Sequence, residues 1–170
     1  HHDPLLSLVA GVTSNLIGFY LLGYISRRNI DWAKMIAISS IALLIGCTIS
    51  EYFLLTYVSL NAAILFISLS IAAFILAIAV GYWRPDWRSY GIASLMGLGL
   101  GSAIIGFTVW LYSQFIVLPV VVGGGYQLPF YVAFIWFIWT FATEIPFLIV
   151  IGPPILKACY RAFPSLKPPK

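Results

Sequence analysis

Charge is the scarcest property of this chain. Of its 170 residues, 8% are charged and 62% are hydrophobic, where an average soluble domain is about 25% charged and about 45–50% apolar. Mean hydropathy is +1.02. No polar tract is long enough to build a soluble domain, so the composition predicts an all-α integral membrane protein. Histidine does not occur after His2, which excludes histidine ligation of heme or zinc within residues 3–170. The two cysteines, Cys47 and Cys159, stand apart with no CxxC partner and read as small buried hydrophobes. The motifs HExxH, GxSxG and GxxxxGK[ST] do not occur, and no acidic cluster has metal-ligand spacing. No catalytic residue, cofactor or metal is therefore expected, and the net charge of +4 does not point to nucleic acid. The start, HHDP, has neither the basic n-region nor the initiator Met of a signal peptide. His1 and His2 read as a tag remnant or as the interior of a longer protein.

What is present is apolar sequence in runs that fit a bilayer. A spanning helix needs about 20 apolar residues, and five segments meet this: about 4–26, 35–56, 60–83, 89–116 and 129–162. The run from Met35 to Trp83 is too long for one helix and divides at TYVSLN, residues 56–61. A Pro/Gly loop, LPVVVGGGYQLP (118–129), precedes the last span. The whole chain, 1–170, reads as one transmembrane helical domain.

All nine Lys and Arg fall in three places. Arg27, Arg28 and Lys34 lie between the first two spans, Arg84 and Arg88 between the third and fourth, and Lys157, Arg161, Lys167 and Lys170 near the C-terminus. Five spans put these three places on one side, and basic loops mark the cytoplasm. The expectation is a multi-pass cell-membrane protein with its N-terminus outside and its C-terminus cytoplasmic. An odd span count with an external N-terminus is simply explained if one more helix precedes His1, making these helices two to six of a six-helix bundle.

Several polar or small residues stand out in this apolar background. Ala93, Gly97 and Gly101 recur at four-residue spacing in the fourth span, and Gly11, Ser14 and Gly18 make a weaker stripe in the first. Small residues let helix backbones approach closely, so Gly97 and Gly101 read as helix packing within the chain or as a docking face for a partner. Asn15, about 16 Å into the first span at 1.5 Å per residue, is expected to bond a neighbouring helix or to line a cavity. Glu51 lies in the outer half of the second span, where a carboxylate is either wet at the interface or functional. Tyr52, Asn61, Gln114, Tyr126 and Gln127 are expected near it, as a polar and aromatic pocket mouth under the 118–129 loop. The outer half has no Lys or Arg. An anionic ligand would call for cations or helix N-termini, so the expected solute is small and neutral or cationic, held by aromatic stacking or cation–π contact.

Two stretches resemble a known family. DPLLSLVAGVTSNLIGFYLLGY (3–24) resembles the second helix of the substrate-binding S components of energy-coupling-factor (ECF) vitamin transporters. TEIPFLIVIGPPILKACYRAF (143–163) resembles the last helix of those proteins. The likeness covers two of the five spans by motif, and the others in helix count and glycine/aromatic style. It implies a six-helix fold with both termini inside and a vitamin-like solute held in the extracellular half. It also implies docking to a transmembrane coupling protein driven by cytoplasmic ATPases. The family's first helix, which carries an alanine-rich docking motif, has no counterpart here. Ligand residues carry over by location alone, to Glu51, Asn61 and Gln127. A second reading, from another class, is a structural subunit of a larger membrane complex such as a respiratory or monooxygenase assembly.

The stretch FATEIPFLIVIGPP (141–154) places Glu144 and Pro146 inside the last span. Counting from the outer end puts Glu144 roughly 22 Å deep, in the inner half and away from the expected solute pocket. Pro146 removes one intrahelical bond. Glu144 is expected either to bond the freed groups or a neighbouring helix, or to shape a cytoplasmic end that meets a partner.

Overall fold

The computed structural model describes residues 4–28, 31–120 and 123–166. His1, His2, Lys167 and Lys170 lie outside the described residues. Five helices are long and apolar enough to cross a membrane: α1 (Pro4–Ser26), α2 (Trp32–Tyr57), α3 (Leu60–Trp83), α4 (Arg88–Phe115) and α5 (Tyr131–Val150). The chain is thus an all-α, multi-pass membrane protein. A shorter helix, α6 (Gly152–Ala162), follows α5.

Local chemistry explains the helix ends. The Asp31 carboxylate caps α2 by accepting from the Ala33 N–H at 3.3 Å, and the Ser59 hydroxyl caps α3 by accepting from the Ala62 N–H at 3.2 Å. The run expected to form one helix over 129–162 is two. Pro153 and Pro154 have no N–H to give to the carbonyls one turn back, and the path breaks at Ile151. The carbonyl of Leu148, at this break, accepts a hydrogen bond from the Tyr90 hydroxyl at 3.0 Å. Such a partner is needed in lipid, where water cannot satisfy an unpaired backbone group. At the other end of the chain, Ser7–Val12 of α1 forms a π-helical stretch.

The bundle is built around α4. Half of its apolar window is buried, against 17–28% for the other four spans. Its small residues are the reason. A Cβ added at Gly97 would lie 2.7 Å from the Gly18 carbonyl oxygen, and one at Gly18 would lie 2.9 Å from that of Gly97. Gly106 is pressed against the Ala133 carbonyl of α5, and a Cβ at Gly91 would lie 3.3 Å from the Ala77 carbonyl oxygen of α3. Helix α4 therefore approaches three neighbours at backbone distance, the geometry by which small residues drive association in lipid. The side chains of Ile92 and Ala93 are fully buried between these crossings.

The crossings are antiparallel. Along α1, Ser14 and Gly18 meet Gly101 and Leu22 meets Gly97. Two chemically distinct ends follow. Arg27, Arg28, Lys34, Arg84, Arg88, Lys157 and Arg161 gather at one, the basic end, where Arg88 Nε donates to the Gly81 carbonyl at 2.9 Å and its guanidinium lies 5.7 Å from the Trp32 ring centre. The opposite, neutral end carries aromatic stacks: Tyr57 on Tyr131 at 4.3 Å and Phe53 on Phe134 at 4.2 Å.

These crossings make a graded prediction. Gly97→Ala and Gly106→Ala should each lower thermal stability in detergent, by the roughly 1–3 kcal/mol typical of overpacking. Gly99→Ala, on the same helix but with nothing within 4 Å of its added Cβ, should leave the melting temperature unchanged. Equal effects at all three positions would show that backbone approach is not what holds α4.

Candidate functional site

The neutral end comes first, because the solute pocket was expected there. Gln114 and the loop after α4 form one hydrogen-bonded unit. Gln114 Nε2 donates to the Leu128 carbonyl at 2.9 Å and to Ser113 Oγ at 3.1 Å, and Trp110 Nε1 donates to the same Leu128 carbonyl at 3.1 Å. The Leu128 N–H in turn donates to Ser113 Oγ at 3.3 Å, and the Gln127 N–H to the Ser113 carbonyl at 2.7 Å. Leu118 pairs with Gly125 across the loop. Gly123 and Gly125 have φ near +105°, which favours glycine, and Gln127 adopts φ +51°.

Gln114 and Gln127 are thus brought together, with the amide of Gln114 spent on holding the loop. Tyr126 and Gln127 are exposed, as are Tyr52 on α2 and Asn61 in the first turn of α3. Glu51 is half-buried, and its Oε1 is buried without a hydrogen-bond partner. Ring contacts run through this end of the bundle. Phe53, Phe134, Phe130, Trp110 and Phe107 form a chain of aromatic neighbours from α2 across α5 to α4, with successive centroids 4.2–5.5 Å apart. Two cavities stand out among the described residues, and none of Glu51, Tyr52, Asn61, Gln114, Tyr126 and Gln127 lines either.

The first cavity lies at mid-depth, where α1, α4 and α5 meet. Its polar lining is Ser14, Asn15, Ser102 and Glu144, and Gly18, Gly97 and Gly101 form its floor. Its volume is about 20 Å³, room for about one water. Glu144 faces the same cavity as Asn15 and Ser102. Asn15 and Ser102 lie midway along their helices, while Glu144 lies past the middle of α5 (Tyr131–Val150), counted from the neutral end.

Glu144 and Asn15 are both exposed on the outside of the bundle, and neither forms a hydrogen bond among the described residues. The expectation that Glu144 bonds the groups freed by Pro146 is not met. Ser102 is fully buried, yet its hydroxyl has no partner. Other serines here bond their own helix: Ser94 donates to the Tyr90 carbonyl at 2.8 Å, Ser113 to that of Trp110 at 2.6 Å and Ser14 to that of Gly11 at 3.0 Å.

This notch has a carboxyl group and an amide at its exposed edge, with the hydroxyls of Ser14 and Ser102 buried behind them and apolar side chains, among them Phe19, Leu22 and Leu148, around them. It offers oxygen acceptors and donors to whatever lies against this face. It is too small for an organic solute. Ser102 escaped notice in the sequence, where it reads as one more small residue beside Gly101. Gly97 and Gly101 themselves sit at the α1–α4 crossing, and Pro146 lies inside α5 one turn from the break. Compared with family models, with curated proteins and with solved structures, the chain matches none.

The loop clamp predicts a local effect. Ser113→Ala removes the acceptor of the Leu128 N–H and one contact of Gln114. Amide exchange at Leu128 should speed up several-fold, for a hydrogen bond worth about 1 kcal/mol, while exchange in the α4 segment around Ala93 stays slow. Unchanged exchange at Leu128 would mean that the loop is held by other contacts.

Proposed function

We propose that this chain is a membrane-embedded subunit of a solute transporter, similar in role to an S component. It would take up a small, vitamin-like, neutral or cationic solute from the outer side and move it together with partner subunits. One observation carries the subunit part of this reading: Glu144 is a carboxyl group within a membrane span, on the exposed face of the bundle, with no side-chain bond partner. An acid at such a position costs about 2.5–3.5 kcal/mol on insertion scales. Residues of that kind pair with something, and no partner for it stands among the described residues. A transmembrane helix of another subunit, carrying a polar side chain to Glu144 and Asn15, would satisfy it. The chain's own chemistry then needs no catalytic residue. Energy would come from a transmembrane coupling protein and cytoplasmic ATPases, as the ECF resemblance implies.

Orientation follows the charges. Seven described cations share the basic end, which by the positive-inside rule faces the cytoplasm, and the neutral, aromatic end faces outward. Solute recognition belongs to that outer end, where Glu51, with one unpaired carboxylate oxygen, is the polar centre. Opening the aromatic chain between Phe53 and Phe107 would be required to make room for a solute.

The second reading, a structural and non-catalytic subunit of a larger assembly, is favoured by a different observation: the expected outer-end site residues line neither cavity. Both readings need a partner over the Glu144 notch, so the identity of the partners separates them. Purification of the full chain from its native membrane in mild detergent should recover a coupling protein and ATPases in fixed ratio. Recovery of redox subunits instead would sink the transporter reading.

Glu144→Leu is informative in the same experiment. Removing an unpaired carboxyl from a lipid-facing position should raise the melting temperature of the isolated chain and should sharply reduce partner recovery. Unaltered recovery would rule out Glu144 as part of the contact. Glu144→Gln, which keeps a hydrogen-bonding group, should preserve most of it.

A further inference from the structure

The second cavity is far larger and lies at the basic end. Its volume is about 520 Å³, within the roughly 300–1,000 Å³ of small-molecule sites. The last turns of α3 form one wall with Leu76 and Val80, and the end of α5 forms the other with Ile149 and Val150. It lies at the break at Ile151, with Pro153 and Pro154 of the first turn of α6 in its lining. At its rim stand Arg84, Trp87 and Lys157.

These rim groups are unspent. Among the described residues, Arg84 and Lys157 form no ion pair and no side-chain hydrogen bond, and the Trp87 indole N–H has no acceptor. Trp87 is held edge-on to Tyr90 at 5.8 Å. Tyr90 in turn bonds the Leu148 carbonyl, so the rim is tied to the helix break. The cleft is thus apolar where it faces the bilayer interior and carries two cations and a donor where it meets the interface. That polarity is the profile of a phospholipid, with chains below and phosphate above.

We propose that this cleft binds an anionic phospholipid, its phosphate between Arg84 and Lys157 and its acyl chains along Leu76, Val80, Ile149 and Val150. Basic pockets between helices near the membrane surface suit anionic head groups. A zwitterionic lipid offers the same phosphate with a cation of its own, which two neighbouring side-chain cations disfavour. Free phosphate would gain the rim without the apolar walls. The lipid, by filling the gap, braces α6 against α3. The site does not depend on the transport role proposed above.

The test uses the full chain, delipidated in a neutral detergent, with binding read by native mass spectrometry. The probes are phosphatidylglycerol, phosphatidylcholine with identical chains, and glycerol 3-phosphate as the head group alone. Phosphatidylglycerol should bind about tenfold more tightly than phosphatidylcholine, and glycerol 3-phosphate should not bind measurably. Arg84→Gln with Lys157→Gln should abolish the preference. Arg27→Gln with Lys34→Gln, which removes two cations of the same end away from the cleft, should keep it. Val80→Trp should fill the cleft and weaken phosphatidylglycerol binding with all the charges intact. Equal binding of the two lipids overturns the proposal, as does equal loss in both charge variants or binding of glycerol 3-phosphate as tight as that of the lipid. Should the cleft charge variant fail to fold, Val80→Trp decides alone: unchanged phosphatidylglycerol binding in it overturns the proposal.

Discussion

Backbone approach to α4 is the constraint on which the rest of the molecule depends. Inside a bilayer, apolar side chains gain nothing by leaving lipid for one another, so helices associate through close packing and polar contacts. Here three neighbours reach α4 at glycine positions, through Gly97, Gly106 and Gly91. The one remaining span, α2, packs on this core, and the crossings are why half of the α4 window is buried against 17–28% of the others. The notch is a by-product of the same packing. Where Gly18, Gly97 and Gly101 bring two backbones together, no side chain reaches the buried hydroxyl of Ser102 to bond it, and Glu144 and Asn15 stand at the edge of the gap.

Polar groups in this bundle divide by whether their partners lie in the chain. Ser94, Ser113, Gln114, Trp110 and Tyr90 all close hydrogen bonds within it. Glu144, Asn15, Ser102, Arg84 and Lys157 do not. The first group keeps loops and helix ends in place where water is scarce. Of the second group, Glu144 and Asn15 point to what lies outside the chain within the spans, and the two cations to what lies at the interface.

Much of the fold was legible in the sequence. Apolar run length and the complete segregation of Lys and Arg were enough to count five spans, because both reflect the bilayer and not the partner of any one side chain. The four-residue spacing of Gly97 and Gly101 was readable for the same reason: it depends on helix geometry alone. The site was less legible. Which way Glu144 faces depends on the packing of α5 on α4 through Gly106, a contact between residues far apart in sequence. The aromatic chain from Phe53 to Phe107 depends on pairings such as Phe53 with Phe134, across three elements. The break at Ile151 had a visible signal in Pro153 and Pro154, but the continuous apolar run outweighed it in the reading of one long helix.

The loop that follows α4 has a mechanical consequence. Four hydrogen bonds from Trp110, Gln114, Gln127 and Leu128 fasten residues 127–128 to the end of that helix. Residues 127–128 are therefore not a hinge between α4 and α5. They are fastened to α4, and a tilt of that helix carries them across the neutral end with it. Compliance has to be sought on the far side of Leu128, in the Pro129–Phe130 step that leads into α5. Motion of the Gly-lined core and motion of the outer surface are in this way one displacement.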